Sequence, residues 1–323
     1  MKIGVTGANG FVGGYLLPAL REAGHHVTAL VRSPTGLDLK TVDEIVAIPT
    51  IDRDSDVTVL EAAMAGLDAV VHLAARVHVM DDSVNEEEFQ RVNVTGSARL
   101  FEAAQAAGVR RFVFISTVKA AGERSSGAPM TTDTAPGPED AYGRSKRDAE
   151  TRLAARAANG ECRLIVLRPT FVYGWPPAGN FQTVISAILK GVPLPLAGIR
   201  NRRDMTYAGN LASAIATACT AERLGDTPYF IADGRPVSTP DLFRGVGEAF
   251  GYPARLFHVP VWGLWLLGAL TGRGTAVARL TEDFVVDTAS FNRDARWQPP
   301  YKMSDGLGAI ARAWHETKRA GSD

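Results

Sequence analysis

Short apolar runs alternate with stretches of helical period through the first half of the chain. Each apolar run has the length of a strand buried on both faces, and each stretch between them repeats its apolar residues with the period of a helix. We predict strands at residues 2–5, 26–31, 44–48, 69–74, 112–116 and 163–168, and helices at 15–23, 57–65 and 86–107, with another helix opening near 141–146. This alternation predicts an α/β fold with a doubly wound parallel sheet and helices on both faces.

Three glycines follow the first predicted strand and precede the first helix. Gly7, Gly10 and Gly13 have G-x-x-G-x-x-G spacing. In such a turn the first glycine permits the bend, the second lets backbone N–H groups approach a pyrophosphate, and the third packs the helix against the strand. The N-terminus of the helix favours the bound anion. The pattern predicts a Rossmann-type dinucleotide site formed by Gly7, Asn9, Gly10, Phe11, Val12 and Gly13.

Arg32 stands directly after the second predicted strand, where this fold meets the adenosine ribose. An acidic residue there hydrogen-bonds the 2′-hydroxyl of NAD, whereas an arginine suits the 2′-phosphate of NADP. No acid stands at this position, so the sequence favours NADP(H) over NAD(H). NAD(H), with Arg32 as a solvated residue at a strand end, stays open as the alternative.

Loops that leave the carboxyl edge of the predicted sheet supply further candidates, because cofactor and substrate bind at that edge in this class of fold. Assigned to the cofactor are Leu73, Ala74, Ala75 and, after the sixth strand, Pro169. Assigned to the substrate are Arg76, His78 and Lys119. A lone histidine such as His78 is more typical of a hydrogen-bonded polar residue than of an acid/base group.

Tyr142 and Lys146 lie four residues apart in a predicted helix, so their side chains project from one face. We expect the Lys146 ammonium to favour the phenolate and so to lower the pKa of Tyr142, which suits proton exchange near neutral pH. Thr117 ends the fifth predicted strand and is placed to hydrogen-bond the same substrate oxygen. Together with the glycine turn, these residues predict a site for hydride transfer.

These motifs together resemble the extended short-chain dehydrogenase/reductase family over essentially the whole chain. The resemblance rests on the glycine turn, HLAA at 72–75, Asn93 in VNVTGS, Thr117, Tyr142-x-x-x-Lys146 and RPTFVYG at 168–174. Within the family the chain is most similar to nucleotide-sugar 4-epimerases and 4-ketoreductases of surface-polysaccharide synthesis. That similarity rests on VHLAARVHVM at 71–80, ISTVKAAGE at 115–123 and NRRDMTYAGNLASAI at 201–215.

The resemblance implies a role for each catalytic residue. Tyr142 would be the acid/base, Thr117 the hydroxyl that orients the carbonyl, and Lys146 both a ligand of the nicotinamide ribose and the residue that tunes Tyr142. Asn93, grouped with the cofactor site, would support the active-site helix; a simple helix-buried amide is the alternative.

The resemblance also implies a site for the substrate's diphosphate and nucleoside. Asn180 and Arg203 match positions that hold these groups, and Arg279 is a candidate for a second phosphate contact. Without the resemblance, Arg203 is interpreted as a residue of a solvated loop.

The regular alternation breaks down beyond Gly174. Helices are predicted at 180–190, 210–222, 239–250 and 304–318, with a last strand at 228–232. We therefore predict a dinucleotide-binding domain over residues 1–172, to which 204–232 returns, and a smaller substrate-binding lobe over 173–203 and 233–323.

Charge and cysteine content narrow the functional classes. The 323 residues carry 35 Lys+Arg and 35 Asp+Glu, a balance that does not indicate a nucleic-acid partner. Cys162 and Cys219 lie far apart without metal-ligand spacing, which predicts reduced thiols, no metal site and a cytoplasmic protein. A first strand beginning at Lys2 leaves no room for a signal peptide.

The most apolar segment, residues 259–270, is too short to span a membrane. We expect it to form a buried or pocket-covering helix rather than a contact with a membrane surface.

The sequence thus predicts an NAD(P)-dependent oxidoreductase acting on a nucleotide sugar, first of all a 4-ketoreductase of a UDP-4-keto-(deoxy)hexosamine. The closest alternative is a UDP-hexose or UDP-N-acetylhexosamine 4-epimerase that retains NAD and returns the hydride to the opposite face of C4. A reductase of a non-sugar ketone would not need Arg203 and Asn180. A non-catalytic dinucleotide-binding protein would not need Thr117, Tyr142 and Lys146. The resemblance also allows a homodimer formed through helices.

Overall fold

A seven-stranded parallel sheet forms the centre of the computed structural model, which describes residues 1–77, 86–125, 127–158, 160–177, 179–225 and 227–320. The strands are β1 (Lys2–Thr6), β2 (His26–Val31), β3 (Glu44–Ala47), β4 (Ala69–His72), β5 (Arg111–Ile115), β6 (Arg163–Pro169), β7 (Phe171–Tyr173), β8 (Met205–Tyr207) and β9 (Tyr229–Ile231). Their order in the sheet is β3-β2-β1-β4-β5-β6-β9. This order confirms the predicted doubly wound α/β fold. All strands are parallel, but successive strands are added on one side of β1 up to β3 and on its other side from β4 onward, so the switch point lies between β1 and β4.

Helices cover both faces of the sheet. All the helices of the described residues, including those that pack elsewhere, are α1 (Phe11–Glu22), α2 (Val57–Met64), α3 (Glu86–Phe89), α4 (Ser97–Ala106), α5 (Ala141–Ala157), α6 (Gly179–Leu189), α7 (Ala208–Thr220), α8 (Thr239–Phe250), α9 (Val261–Leu270), α10 (Gly274–Thr281), α11 (Ala289–Asp294) and α12 (Met303–Ala320). On one face α1 and α7 bury Leu16, Leu20, Leu211 and Ile215 against the strands. On the other face α2, α4 and α5 bury Leu60, Phe101 and Leu153. Because the central strands are covered on both sides, they consist of nearly continuous apolar residues.

A separate apolar cluster lies beyond the main sheet. The short strands β7 and β8 pair in parallel, and α6, α8 and α12 pack beside them. Its buried side chains include Tyr173, Phe181, Phe243 and Ile310. The chain leaves the main sheet after β6 and comes back to it at β9, which pairs with β6.

The predicted long helix at 86–107 is interrupted. Between α3 and α4, residues Gln90–Gly96 form a π-helical segment. Asn93 lies inside this segment and is 1% exposed. Wider turns of this kind commonly occur at functional sites.

For residues 259–270 the sequence predicts a buried or pocket-covering helix; burial is wrong, and a pocket-covering role stays a prediction. Of α9, only Leu264 and Gly268 are buried. The exposed large side chains of this helix are Trp262, Trp265, Leu266, Leu267 and Leu270. An apolar composition normally predicts burial, but here the helix lies on the outside of the second cluster. Within the described ranges, no helix is both long enough and apolar enough to cross a membrane.

Candidate active site

The glycine turn lies at the reversal of strand order, between the carboxyl ends of β1 and β4. Gly7 has a φ of +68°, a conformation that side chains other than glycine rarely adopt. A Cβ at Gly7 would lie 2.7 Å from the backbone nitrogen of Ala74, and a Cβ at Gly13 would collide with the carbonyl of Ala8. These contacts agree with the predicted bend at Gly7 and the predicted close packing at Gly13.

The geometry of this turn fits a dinucleotide. Gly10 is the N-cap residue of α1, and no side chain caps the helix there. The N–H groups of its first turn are therefore left to an anion, which the helix N-terminus also favours electrostatically. Of the other predicted cofactor residues, Asn9 and Phe11 are exposed, Val12 is half-buried, and Arg32 is exposed just past β2.

The loop after β4 is fixed to α5 through Asn93. Its side-chain oxygen accepts a hydrogen bond from the backbone N–H of Arg76 at 2.8 Å, and its amide nitrogen donates to the carbonyl of Arg76 at 2.9 Å. The same nitrogen lies 3.0 Å from the hydroxyl of Ser145 on α5. Asn93 thus joins the loop containing Leu73, Ala74, Ala75 and Arg76 to the helix that carries Tyr142 and Lys146. Its described contacts are structural, and a role toward the cofactor stays a prediction.

The side chain of Lys146 connects α5 to the carboxyl end of β5. Its Nζ donates a hydrogen bond to the carbonyl of Ile115 at 2.8 Å and lies 4.5 Å from the centre of the Phe114 ring. Thr117, two residues past Ile115, is the N-cap of a short 3₁₀ turn at Val118–Ala120. The structure therefore assembles Thr117, Lys146 and, one helical turn before Lys146, Tyr142 at one end of the sheet.

The expected lowering of the Tyr142 pKa is wrong for the protein without cofactor. Burial raises the pKa of the Tyr142 phenol above its ordinary value, and the negative charge of Asp140 raises it further. Burial lowers the pKa of Lys146 to about 7, against the opposing effect of Glu150. Since Lys146 is only partly protonated near neutral pH, its charge is a weaker influence on the phenol than the sequence suggests.

Lys119 is held at the N-terminus of α5. Its Nζ lies 2.6 Å from Oδ2 of Asp140 and 3.3 Å from Oε1 of Glu123. Asp140 also caps α5 by accepting a hydrogen bond from the N–H of Gly143 at 2.6 Å. Lys119 is thus paired with acidic residues beside Tyr142, and its assignment to the substrate stays a prediction.

Arg203 is not the solvated loop residue that the sequence alone suggested. Its guanidinium lies 5.4 Å from the centre of the Phe284 ring, and Nη1 donates to the carbonyl of Glu282 at 3.1 Å. Burial lowers its pKa, Arg279 lowers it further, and Glu282 raises it. Arg203 and Arg279 therefore act on each other electrostatically, although Arg279 itself is exposed.

The remaining predicted residues are more scattered. Asn180 is exposed in the first turn of α6, and Pro169 is buried at the end of β6. His78 lies outside the described residues.

Sequence reasoning missed a buried ion pair beneath α5. Glu150 on α5 binds Arg168 on β6 through two hydrogen bonds, of 2.9 and 2.5 Å, and the two side chains are 4% and 3% exposed. The hydroxyl of Ser116 donates to Glu150 at 2.5 Å. Glu150 follows Lys146 by four residues, on the same helix face as Tyr142, and this spacing was the available signal.

His72 is buried in the sheet between two hydroxyls. Its Nδ1 lies 2.7 Å from Thr6 Oγ1 and its Nε2 lies 3.0 Å from Ser97 Oγ. Burial, and to a lesser extent the charge of Lys146, lower the pKa of His72 to about 3. The folded protein therefore keeps this imidazole neutral.

We expect the free energy of unfolding to fall as the pH drops from about 6.5 toward 3, because the unfolded chain gains a proton at His72 that the folded chain excludes. The contribution is fully present above pH 6.5 and is lost at a rate approaching about 1.4 kcal/mol per pH unit. Urea unfolding between pH 7 and pH 4.5 measures the slope. His72→Gln should flatten it, whereas His258→Gln, at an exposed position, should leave it unchanged. Equal slopes in wild type and His72→Gln would contradict this account.

Comparisons with known proteins identify the family. The model of the NAD dependent epimerase/dehydratase family matches residues 3–232. A UDP-glucose 4-epimerase of Vibrio cholerae is 33% identical over 315 residues, which cover 96% of this chain and 94% of the relative. A 3 beta-hydroxysteroid dehydrogenase/Delta 5-->4-isomerase of Mycobacterium tuberculosis is 32% identical over 261 residues, covering 77% of this chain and 70% of that protein.

A solved structure shares the fold. UDP-glucose-4-epimerase from Stenotrophomonas maltophila, with bound NAD and formylated UDP-arabinopyranose, superposes with a TM-score of 0.79 at 21% identity, covering 99% of each chain. The predicted resemblance, the predicted enzyme class and the dependence on a nicotinamide dinucleotide are confirmed at the level of the family. The family match over residues 3–232 and the whole-length relative lead to one conclusion: the chain belongs to the NAD-dependent epimerase/dehydratase family.

Proposed function

We propose that this enzyme oxidises and reduces C4 of a nucleotide-diphosphate sugar with a nicotinamide dinucleotide. The observation that carries the proposal is the attachment of Lys146 to the carbonyl of Ile115, since it joins the Tyr142 helix to the strand that leads to Thr117. All of these residues lie at the carboxyl edge of the sheet, as does the glycine turn.

The chain's own residues move the proton and hold the sugar. The bound dinucleotide supplies the hydride acceptor and donor for C4. Tyr142 is the proposed acid/base: as the phenolate it takes the proton from the C4 hydroxyl on oxidation, and as the phenol it gives the proton back on reduction. Because burial and Asp140 favour the phenol in the protein without cofactor, this role requires positive charge beside the ring, from protonated Lys146 or from the bound cofactor. Thr117 fixes the C4 oxygen by a hydrogen bond. Lys146, whose Nζ is held at the carbonyl of Ile115 at the end of β5, acts in this proposal on both the cofactor ribose and the phenol of Tyr142. Positioning of this kind contributes much of the rate enhancement in such reactions.

Arg203 and its neighbours are proposed to hold the diphosphate. A guanidinium that is stacked on a ring and bound to a carbonyl is already fixed in orientation, so it loses little freedom when it binds a phosphate. Asn180, Arg279, Arg76, His78 and Lys119 complete the proposed substrate site. In the same proposal the dinucleotide domain comprises 1–172 and 204–232, and the enzyme works in the cytoplasm as a homodimer.

A 4-epimerase that retains NAD is the first form of the proposal, because the Vibrio cholerae relative spans nearly the whole chain under that name. A 4-ketoreductase of a UDP-4-keto-(deoxy)hexosamine that uses NADPH is the second. It is favoured by Arg32, which is exposed at the end of β2 where no acidic residue stands.

Identification of the nucleotide that is released on denaturation separates the two forms. Retained NAD, together with interconversion of UDP-glucose and UDP-galactose or of their N-acetyl analogues, supports the epimerase. An empty protein that binds NADPH tightly and reduces a UDP-4-ketohexose supports the reductase. Turnover of a 3β-hydroxysteroid but of no UDP-sugar contradicts both forms, and binding of neither dinucleotide contradicts the proposed cofactor site.

We expect Arg203→Ala to raise the KM for the UDP-sugar about 10- to 100-fold with a smaller effect on kcat, since a charged hydrogen bond to phosphate is worth about 1.5–3 kcal/mol. Steady-state kinetics with the substrate identified above measure this change. Arg202→Ala is the matched control, because Arg202 is the exposed neighbour in the same segment. An unchanged KM in Arg203→Ala would remove Arg203 from the substrate site.

A further inference from the structure

The helix α9 presents an unusually apolar surface to solvent. Trp262 is 72% exposed, Leu270 is 78% exposed, and Leu266 and Leu267 are each more than half exposed. Phe257, just before the helix, is 49% exposed. The inner side of α9 packs on α10, where Gly268 lies against Val277. This surface, which we call the α9 face, consists of Phe257, Trp262, Trp265, Leu266, Leu267 and Leu270.

Positive charge flanks the α9 face along the chain. Between Glu248 and Glu282 the sequence contains Arg255, Arg273 and Arg279 and no acidic residue, in a chain whose overall net charge is zero. Arg255 precedes the helix in the chain and Arg273 follows it, and both are exposed. The apolar helix thus belongs to a cationic segment of a chain that is neutral as a whole.

We propose that the α9 face binds the surface of an anionic lipid bilayer, with the helix lying in the plane of the interface. A helix of ten residues is about 15 Å long, about half the thickness of the hydrocarbon core, so it can lie in the interface but cannot cross it. Leucine side chains would enter the acyl region, and the indoles of Trp262 and Trp265 suit the headgroup boundary. Arg255 and Arg273 would meet the negative lipid headgroups.

Charge also argues against a second copy of the chain as the occupant. A twofold contact through the α9 face would bring the same surface patch of both subunits together. The exposed Arg255 and Arg273 of one copy would then approach the same two arginines of the other, and the segment between Glu248 and Glu282 has no acidic residue to pair with them. An anionic bilayer complements the same pattern.

Flotation with vesicles tests the proposal. We expect the wild type to float at low salt with vesicles of phosphatidylcholine containing about 30 mol % phosphatidylglycerol, and to float poorly with phosphatidylcholine alone. Leu266→Ser with Leu270→Ser should weaken binding at least about tenfold. Arg273→Gln should weaken it about fivefold, which corresponds to about 1 kcal/mol per charge.

Leu39→Ser with Val59→Ser is the matched control, since these two apolar side chains are exposed elsewhere on the surface, and it should float like the wild type. Lipids brominated on the acyl chain should quench tryptophan fluorescence in the wild type, and Trp262→Phe with Trp265→Phe should abolish that quenching. All the variants change exposed residues, so circular dichroism should show the wild-type fold.

Several results would overturn the proposal. These are absence of flotation with anionic vesicles, or flotation of the Leu266→Ser, Leu270→Ser variant equal to that of the wild type. A wild-type dimer that this variant converts to a monomer, without vesicle binding, would assign the α9 face to a second copy instead. Turnover of a soluble UDP-sugar is measured separately, so failure here is distinguishable from failure of the proposed function.

Discussion

Replacing Tyr142 with phenylalanine is expected to lower kcat by about 10²- to 10⁴-fold, the range that general acid/base groups contribute. In the proposed mechanism the phenol exchanges a proton with the C4 oxygen, and phenylalanine keeps the ring but removes the hydroxyl. The ring packs near Phe89, with centroids 6.2 Å apart, so the helix should keep its position. Steady-state turnover of the substrate measures the loss.

Affinity for the dinucleotide is the internal control for this variant. Because the glycine turn lies between β1 and α1, away from the altered atom, fluorescence titration should give a Kd within about twofold of the wild type, below the tenfold change that 1.4 kcal/mol would cause. Tyr252→Phe removes a hydroxyl from an exposed tyrosine and should retain full activity. Retained turnover in Tyr142→Phe would remove this tyrosine from the proposed mechanism.

The second large effect concerns stability. Glu150→Ala is expected to lower the free energy of unfolding by about 3–5 kcal/mol, because it leaves the Arg168 guanidinium buried without its partner. The Ser116 hydroxyl loses its acceptor at the same time. Urea unfolding at pH 7 measures the change. A loss below about 1 kcal/mol would mean that water or another group replaces the carboxylate.

Two controls separate the effect of the buried charge from the loss of any ion pair made by α5. Glu86→Ala removes an exposed partner of Arg144 and should cost less than about 1 kcal/mol. Glu150→Leu combined with Arg168→Met replaces both charges by apolar groups and should recover much of the stability lost in Glu150→Ala. Failure of the double variant to recover would indicate that the shape of the charged pair, not its charge, determines stability at this position.

The parallel sheet was predictable because its strands are continuous apolar runs punctuated by glycine turns. β1, β2, β4, β5 and β6 each lie within a residue or two of the predicted position. The short pair β7 and β8 was not predicted as strands, since three residues each give no periodic signal. The exposure of α9 could not be predicted either, because a uniformly apolar segment indicates burial whatever finally covers it.

The sequence predicted which residues lie at the candidate site, but it did not predict their pKa shifts or their hydrogen-bond partners. Spacing alone put Tyr142 and Lys146 on one helix face, and strand ends put Thr117 and Arg76 at one edge. The direction of the Tyr142 pKa shift depends on burial and on Asp140, which spacing does not reveal. The partners of Asn93 and Glu150 depend on how α5 packs against its neighbours, and that is a property of the folded chain.

The position of β9 has a consequence for synthesis on the ribosome. Strand β6 ends at Pro169, and its neighbour β9 begins at Tyr229, about 60 residues later. At 5–20 residues per second, the open edge of β6 waits about 3 to 12 seconds for its partner to be translated. An unpaired strand edge is a template for association with other chains. During synthesis there is therefore an interval in which the edge of β6 must be kept from pairing with other chains. That interval ends only when the residues up to β9 have been translated and β9 has paired with β6.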